Sequence, residues 1–172
     1  MSNLKPITEK IVFINQLSKR VDEWKEQAQQ VVFTNGVFDL LHRGHIEYLA
    51  KAADYGDKLI VGVNSDDSVK RLGKGNNRPL QDEDSRALII AALTFVDAVV
   101  IFNDDTPLSL ISAIKPGVLI KGGDYDASVS DTSNPKYIIG SDFVKDNEGI
   151  VEVIQFVEGY STTNIEEKIK DS

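Results

Sequence analysis

Five short runs of apolar, largely β-branched residues punctuate the chain, at 31–35, 58–63, 98–102, 118–121 and 150–156. The first four lack the polar alternation of a half-exposed strand, so they read as strands covered on both faces. Between them the apolar spacing changes to the three-and-four repeat of helices. Residues 45–55 carry Ile46, Leu49, Ala50 and Ala53 at that spacing, with Gly56 placed to stop the helix. A helix over 82–95 opens with an acid-rich turn, favourable at the positive end of the helix dipole. Thr106-Pro107 reads as an N-cap with proline at the first helical position, and Lys115-Pro116-Gly117 as the end of that helix. Thr163 and Glu166 have capping-box spacing at the head of a last helix. Alternating strands and helices, joined by right-handed crossovers, predict a Rossmann-like three-layer α/β/α fold around a five-stranded parallel sheet.

Two segments stand outside this alternation. Residues 11–29 read as an amphipathic helix with Leu17, Val21, Trp24 and Ala28 on one face, able to pack on the domain or to mediate self-association. Residues 122–149, rich in Gly, Asp, Ser and Asn, read as a functional loop followed by a short helix. With no repeat or linker, the reading is one compact body. Residues 1–30 read as a helical extension and 31–172 as the main domain.

Composition narrows the function. The 172 residues carry 19 basic and 27 acidic side chains, a net charge of −8, with a pI near 4.8. So acidic a chain suits no nucleic-acid backbone. Mean hydropathy of −0.19, no long apolar run and no signal-like N-terminus predict a cytoplasmic protein with no membrane partner. Without cysteine there is no disulfide and no thiolate chemistry. Against this acidic background, residues 69–80 hold Lys70, Arg71, Lys74 and Arg78 with no acid between them, a basic patch suited to a small polyanion; a solvated loop would look the same.

The densest chemistry lies in residues 31–45. A buried strand runs into Thr34-Asn35-Gly36 at the carboxyl edge of the sheet, where open α/β folds bind ligands. Gly36 allows close backbone approach. The chain's two histidines follow three apart, as His42-Arg43-Gly44-His45. That spacing places both imidazoles at the head of a helix with free N–H groups, a site for a phosphate chain. A lone histidine there is ordinarily a satisfied core residue, and a metal reading lacks a third ligand. Lys121 before the paired glycines Gly122-Gly123 reads as a phosphate partner or a strand cap. Ser161-Thr162-Thr163 offers hydroxyls and helix-terminal N–H groups to β- and γ-phosphates, or is a plain N-cap. Arg86 reads as an anion contact or as a surface pair with Asp82. No GxxxxGK[ST] or GxGxxG occurs, which disfavours a P-loop kinase and a dinucleotide dehydrogenase.

Thr34-Asn35-Gly36-Val37-Phe38-Asp39 followed by His42-Arg43-Gly44-His45 resembles the TNGxFD…HxGH signature of the cytidylyltransferase-like nucleotidyltransferases. Four further stretches bring the resemblance nearest to the D-glycero-β-D-manno-heptose 1-phosphate adenylyltransferases. They are Val61-Gly62-Val63-Asn64-Ser65-Asp66, Asn77-Arg78-Pro79, Lys121-Gly122-Gly123-Asp124-Tyr125 and Glu158-Gly159-Tyr160-Ser161-Thr162-Thr163.

The resemblance implies AMP transfer from ATP, with Mg2+ carried on the triphosphate, to a sugar 1-phosphate, giving ADP-heptose and pyrophosphate. His42 and His45 would stabilise the transition state, with Lys74, Ser161 and Thr162 beside them. Thr34, Asn35, Gly36, Val37 and Phe38 would lie along the nucleotide. Lys121, Gly123, Asp124 and Tyr125 would border it, and Ser161, Thr162 and Thr163 would hold its phosphates. Asp39, Asn64, Asp66, Lys70, Lys74, Arg78 and Arg86 would serve the acceptor. No resident metal site is implied. A homo-oligomer, such as a dimer, and a separate upstream sugar kinase are expected. The same chemistry with CTP or GTP and another acceptor stays open, as does a nucleotide-binding regulator without turnover. Relatives acting on glycerol 3-phosphate carry an arginine where this chain has Phe156, which argues against that acceptor.

Overall fold

The computed structural model describes residues 3–73, 78–157 and 159–170. In chain order the elements are α1 (Lys5–Thr8), α2 (Ile14–Glu26), β1 (Val31–Gly36), α3 (Arg43–Ala53), β2 (Lys58–Asn64), α4 (Asp66–Arg71) and α5 (Glu83–Ala91). There follow β3 (Ala98–Phe102), α6 (Leu108–Ile114), β4 (Val118–Gly122), α7 (Ser141–Asp146), β5 (Ile150–Ile154) and α8 (Thr162–Lys170). The strands form one parallel sheet in the order β3-β2-β1-β4-β5, as the alternation predicts. Among the described residues no helix is long and apolar enough to cross a membrane.

Successive strand residues enter opposite cores, which is why the runs look uniformly apolar. Val32, Leu59, Val61, Val63, Val99, Val118 and Ile120 pack on one face with Tyr48, Leu49 and Ala52 of α3. Val31, Phe33, Ile60, Val100 and Leu119 pack on the other with Leu110, Ile111 and Ile114 of α6. Leu17 and Val21 of α2 are buried in that second core, at about 1.5–3 kcal/mol each. The apolar face of α2 therefore packs on the domain. Ala28 is exposed beyond the helix, in the left-handed region at φ 57°. Residues 10–12 extend along the outer edge of β3, where Lys10 and Val12 exchange backbone hydrogen bonds with Val99.

Several local expectations shift. The last strand stops at Ile154, short of Phe156, and α5 stops at Ala91 with Asp82 outside it as the N-cap. Pro107, not Thr106, is the N-cap of α6, which ends as expected at Lys115 in a left-handed turn. Ser161 caps α8 by accepting the Asn164 N–H on its hydroxyl, so the Thr163–Glu166 capping box does not form. Part of the supposed basic loop is helix α4, capped by the Ser65 hydroxyl.

Candidate active site

The chain reverses its direction of travel across the sheet between β1 and β4, and there the two strands part. β1 pairs with β2 as far as Gly36, and β4 with β5 as far as Gly122, but β1 and β4 pair only at Val32–Val118 and Phe33–Leu119. Such a switch point, at the carboxyl ends of parallel strands, is where open α/β sheets hold ligands. The Tyr48 hydroxyl, reaching in from α3, fills the gap. It donates to the Ile120 carbonyl (3.4 Å) and shares a 2.6 Å hydrogen bond with the Thr34 hydroxyl. Burial pushes its phenol well above the ordinary tyrosine range. One residue further out, Lys121 Nζ donates to Asn35 Oδ1 at 2.8 Å and lies 5.7 Å from the centre of the Tyr125 ring.

His42 is the N-cap residue of α3 in extended conformation, which turns its ring back over the first turn. The His42 and His45 rings stack with centroids 3.9 Å apart, and Phe38 meets His45 edge-on at 5.5 Å. Gly44 explains the spacing: a Cβ there would meet the His42 ring at 3.1 Å and Tyr160 Cβ at 3.2 Å. Phe38 itself is buried at φ 52°, a costly conformation for a bulky residue, and its ring covers Gly36. Burial, with the neighbouring His42 adding to it and the Leu40 carbonyl opposing, pulls His45 down to about 4. Burial lowers His42 as well. Nδ1 of each ring is sealed from solvent without a partner in hydrogen-bond geometry. Both shifts favour the neutral imidazole at neutral pH.

Facing them is the head of α8. A cavity of about 260 Å³ is lined by His42, Arg43, Gly159, Tyr160, Ser161 and Asn164 among others. Arg43 closes one side, donating to the Tyr160 hydroxyl at 3.2 Å with its guanidinium 5.3 Å from that ring's centre. Ser161 stands in this cavity, and Thr162 and Thr163 begin the helix behind it with their N–H groups in the unbonded first turn.

The residues expected to hold the acceptor are mostly committed to one another. Asp39 is buried and accepts from Arg78 Nη1 (2.9 Å) and from the backbone N–H groups of Leu80 (2.8 Å) and Gln81 (2.9 Å). Burial works against its charge, but those donors outweigh it and hold the carboxyl below its usual range. The other arm of Arg78 reaches Glu166 on α8 at 2.6 Å. Arg86 is fully buried, so neither the surface pair with Asp82 nor an open anion contact forms. It donates to Asp66 (2.6 Å), the Val37 carbonyl (2.8 Å) and the Gln81 carbonyl (3.0 Å), fastening three loops behind the site. Asn64 is also buried and donates to the Ser68 hydroxyl.

Lys70 pairs with Asp67, and Arg71 with Asp105 and the Asn103 carbonyl. Among the described residues the basic patch is thus a set of separate ion pairs, Lys70 within its own helix and Arg71 and Arg78 with acids distant in sequence. Lys74, Asn77 and Glu158 lie outside the described residues. Gly123 is buried in the left-handed region with its N–H on the Ile154 carbonyl, while Asp124 and Tyr125 are exposed beyond it. Tyr48, Tyr160, Asn164 and Lys168, which sequence reasoning passed over, join the site. Tyr48 carried one signal, a polar-tipped residue on the inward face of a helix.

The chain is 51% identical over 160 residues to the bifunctional protein HldE of Geobacter metallireducens, covering 93% of this chain and 31% of that protein. It is 52% identical over 159 residues to the protein of the same name from Campylobacter concisus, covering 90% and 31%. The chain thus spans about a third of the length of these relatives. The crystal structure of a lipopolysaccharide core biosynthesis protein from Thermoplasma volcanium superposes with a TM-score of 0.58 at 27% identity, over 77% of this chain and 99% of that one. Pantoate–β-alanine ligase from Francisella tularensis superposes at 0.59 with 17% identity, over 93% and 76%, a likeness of fold. The profile of the cytidylyltransferase-like family matches residues 33–168, nearly the whole span from the first strand to the last helix. The motifs between β1 and α8 are thereby placed: the chain is a member of the cytidylyltransferase-like family.

Proposed function

We propose that this chain transfers AMP from ATP to a sugar 1-phosphate, D-glycero-β-D-manno-heptose 1-phosphate, giving ADP-heptose and pyrophosphate. The observation that carries the reading is His42, stacked on His45 at the head of α3, opposite Ser161 and the first turn of α8 across one cavity. The half-identical HldE relatives and the lipopolysaccharide-related fold neighbour support a sugar acceptor.

A phosphate oxygen of the acceptor attacks the α-phosphorus of ATP in line. A new P–O bond forms, the bond from the α-phosphorus to the α,β-bridging oxygen breaks, and pyrophosphate leaves with those electrons. The acceptor phosphate is already ionised at neutral pH, so no general base is needed. The protein's task is positioning and the stabilisation of charge on the α-phosphate and the departing bridge. With Nδ1 of His42 sealed, the cheaper neutral tautomer keeps its proton on Nε2, the edge able to donate to a phosphate oxygen. His45, also neutral, stacks against it and fixes its plane. The Ser161 hydroxyl and the N–H groups opening α8 serve the β- and γ-phosphates.

Among the described residues no cluster of three His, Asp or Glu could hold a metal ion, and the groups lining the cavity suit phosphate. That donor set fits Mg2+ arriving on the triphosphate, held by phosphate oxygens and water, where it neutralises charge. An anomeric sugar kinase supplies the acceptor.

The test is pyrophosphate release with Mg2+ across ATP, CTP, GTP and UTP, each paired with the heptose 1-phosphate or with glycerol 3-phosphate. Turnover confined to ATP with the heptose is expected. Turnover with a different pair overturns the substrate assignment, and nucleotide binding without release overturns the enzyme.

A further inference from the structure

A second cavity of about 260 Å³ opens beside the same sheet edge, lined by Pro107, Lys121, Tyr125, Thr132, Asn134 and Tyr137 among others. It shares no lining residue with the first. The two lie on opposite faces of the sheet. His42 precedes α3, which packs in one core, whereas Pro107 caps α6 and Ile138, between Tyr137 and Ile139, is buried in the other. Lys121, which lines the second cavity, holds Asn35 at the end of β1, where β1 and β4 have parted.

Resting on the adenylyl-transfer reading above, we infer that this second cavity is the acceptor pocket, and that Thr132, Asn134 and Tyr137 select the sugar. In-line displacement sets the attacking oxygen and the departing pyrophosphate on opposite sides of the α-phosphorus. The imidazoles and the head of α8 take the pyrophosphate side, so the acceptor enters from the side of Lys121. Phe156, half exposed with its ring against Gly122 and Gly123, gives the nucleoside an aromatic surface, which leaves the second cavity to the acceptor.

The walls supply the groups a sugar 1-phosphate requires: a cation at a strand end, two phenol rings, an amide and a hydroxyl. Aromatic faces meet the C–H faces of a sugar ring, and a few fixed polar groups read its hydroxyls. Those groups are held in place. The Tyr137 hydroxyl donates to Asp142 at 3.0 Å, and Asn134 Oδ1 accepts the Lys136 N–H at 2.9 Å, so its NH2 is the end left to donate.

Asn134→Asp keeps the turn-forming oxygen and removes that donor; Thr132→Val removes a hydroxyl at constant shape. Each raises KM for D-glycero-β-D-manno-heptose 1-phosphate by about tenfold, the loss of one hydrogen bond, with KM for ATP within about twofold. A rise confined to KM for ATP places the nucleoside in this cavity and overturns the inference, as does an unchanged sugar KM in both variants. Absence of pyrophosphate release by the unaltered protein is a different failure: it overturns the adenylyl-transfer reading, and the pocket with it.

Discussion

His45 shows how the site is tuned at the scale of a single residue. Its half-buried ring meets Phe38 edge-on and stacks on His42, and its pKa falls from 6.5 to about 4. Between those values the unfolded chain binds a proton that the folded protein refuses, so stability falls as pH drops from about 6.5 toward 4. His45→Gln, which has nothing to protonate, flattens that limb in pH-dependent denaturant unfolding. An identical acid limb in the variant contradicts the burial account. Asp39 acts at lower pH: its depressed pKa gives stability that is present above 3.8 and lost as the carboxyl protonates below it.

At this scale the sequence was legible where function sits on adjacent residues. His42, Gly44 and His45 fall together because one helix start needs all three. Arg86 was misread because its partners come from other loops, and no local pattern marks a charge that will be buried. Tyr48 was missed for the same reason: the gap it fills exists only once β1 and β4 part.

Among the elements, α8 presents the cap residue Ser161 to the candidate site. Among the described residues it enters neither apolar core, and its ties include Arg78–Glu166 and, just before it, the approach of Tyr160 to Arg43 and Gly44. Arg78 thus couples the helix that presents Ser161 to Asp39 in the loop before α3. Glu166→Ala removes that tie, worth about 1 kcal/mol, and weakens ATP binding roughly fivefold with little change in Tm. Calorimetric titration with ATP checks it; unaltered affinity means that α8 is positioned without Arg78. Strands were readable from sequence to within two residues because burial on both faces leaves an uninterrupted apolar run. α1 and α4 were not, since one or two turns carry no apolar period. The head of α8 was misjudged by two residues because Ser161 and Thr163 are both competent caps, and only packing chooses between them.

For the whole molecule, the parallel sheet was foreseeable from strand–helix alternation, but its strand order, its switch point and the arrangement around the crevice were not. Two separate cavities, one at the heads of α3 and α8 and one beside Lys121 at the end of β4, suit a displacement in which leaving group and attacker lie on opposite sides of one phosphorus. The central claim is that the two imidazoles between them stabilise that transition state rather than merely hold the nucleotide. It is tested most directly by measuring kcat for pyrophosphate release alongside the Kd for ATP in His42→Ala and His45→Ala. The account predicts a fall in kcat of about 10²-fold or more in each, with ATP affinity changed by less than about tenfold. Unchanged turnover in both variants, or a loss expressed wholly in ATP binding, would contradict it.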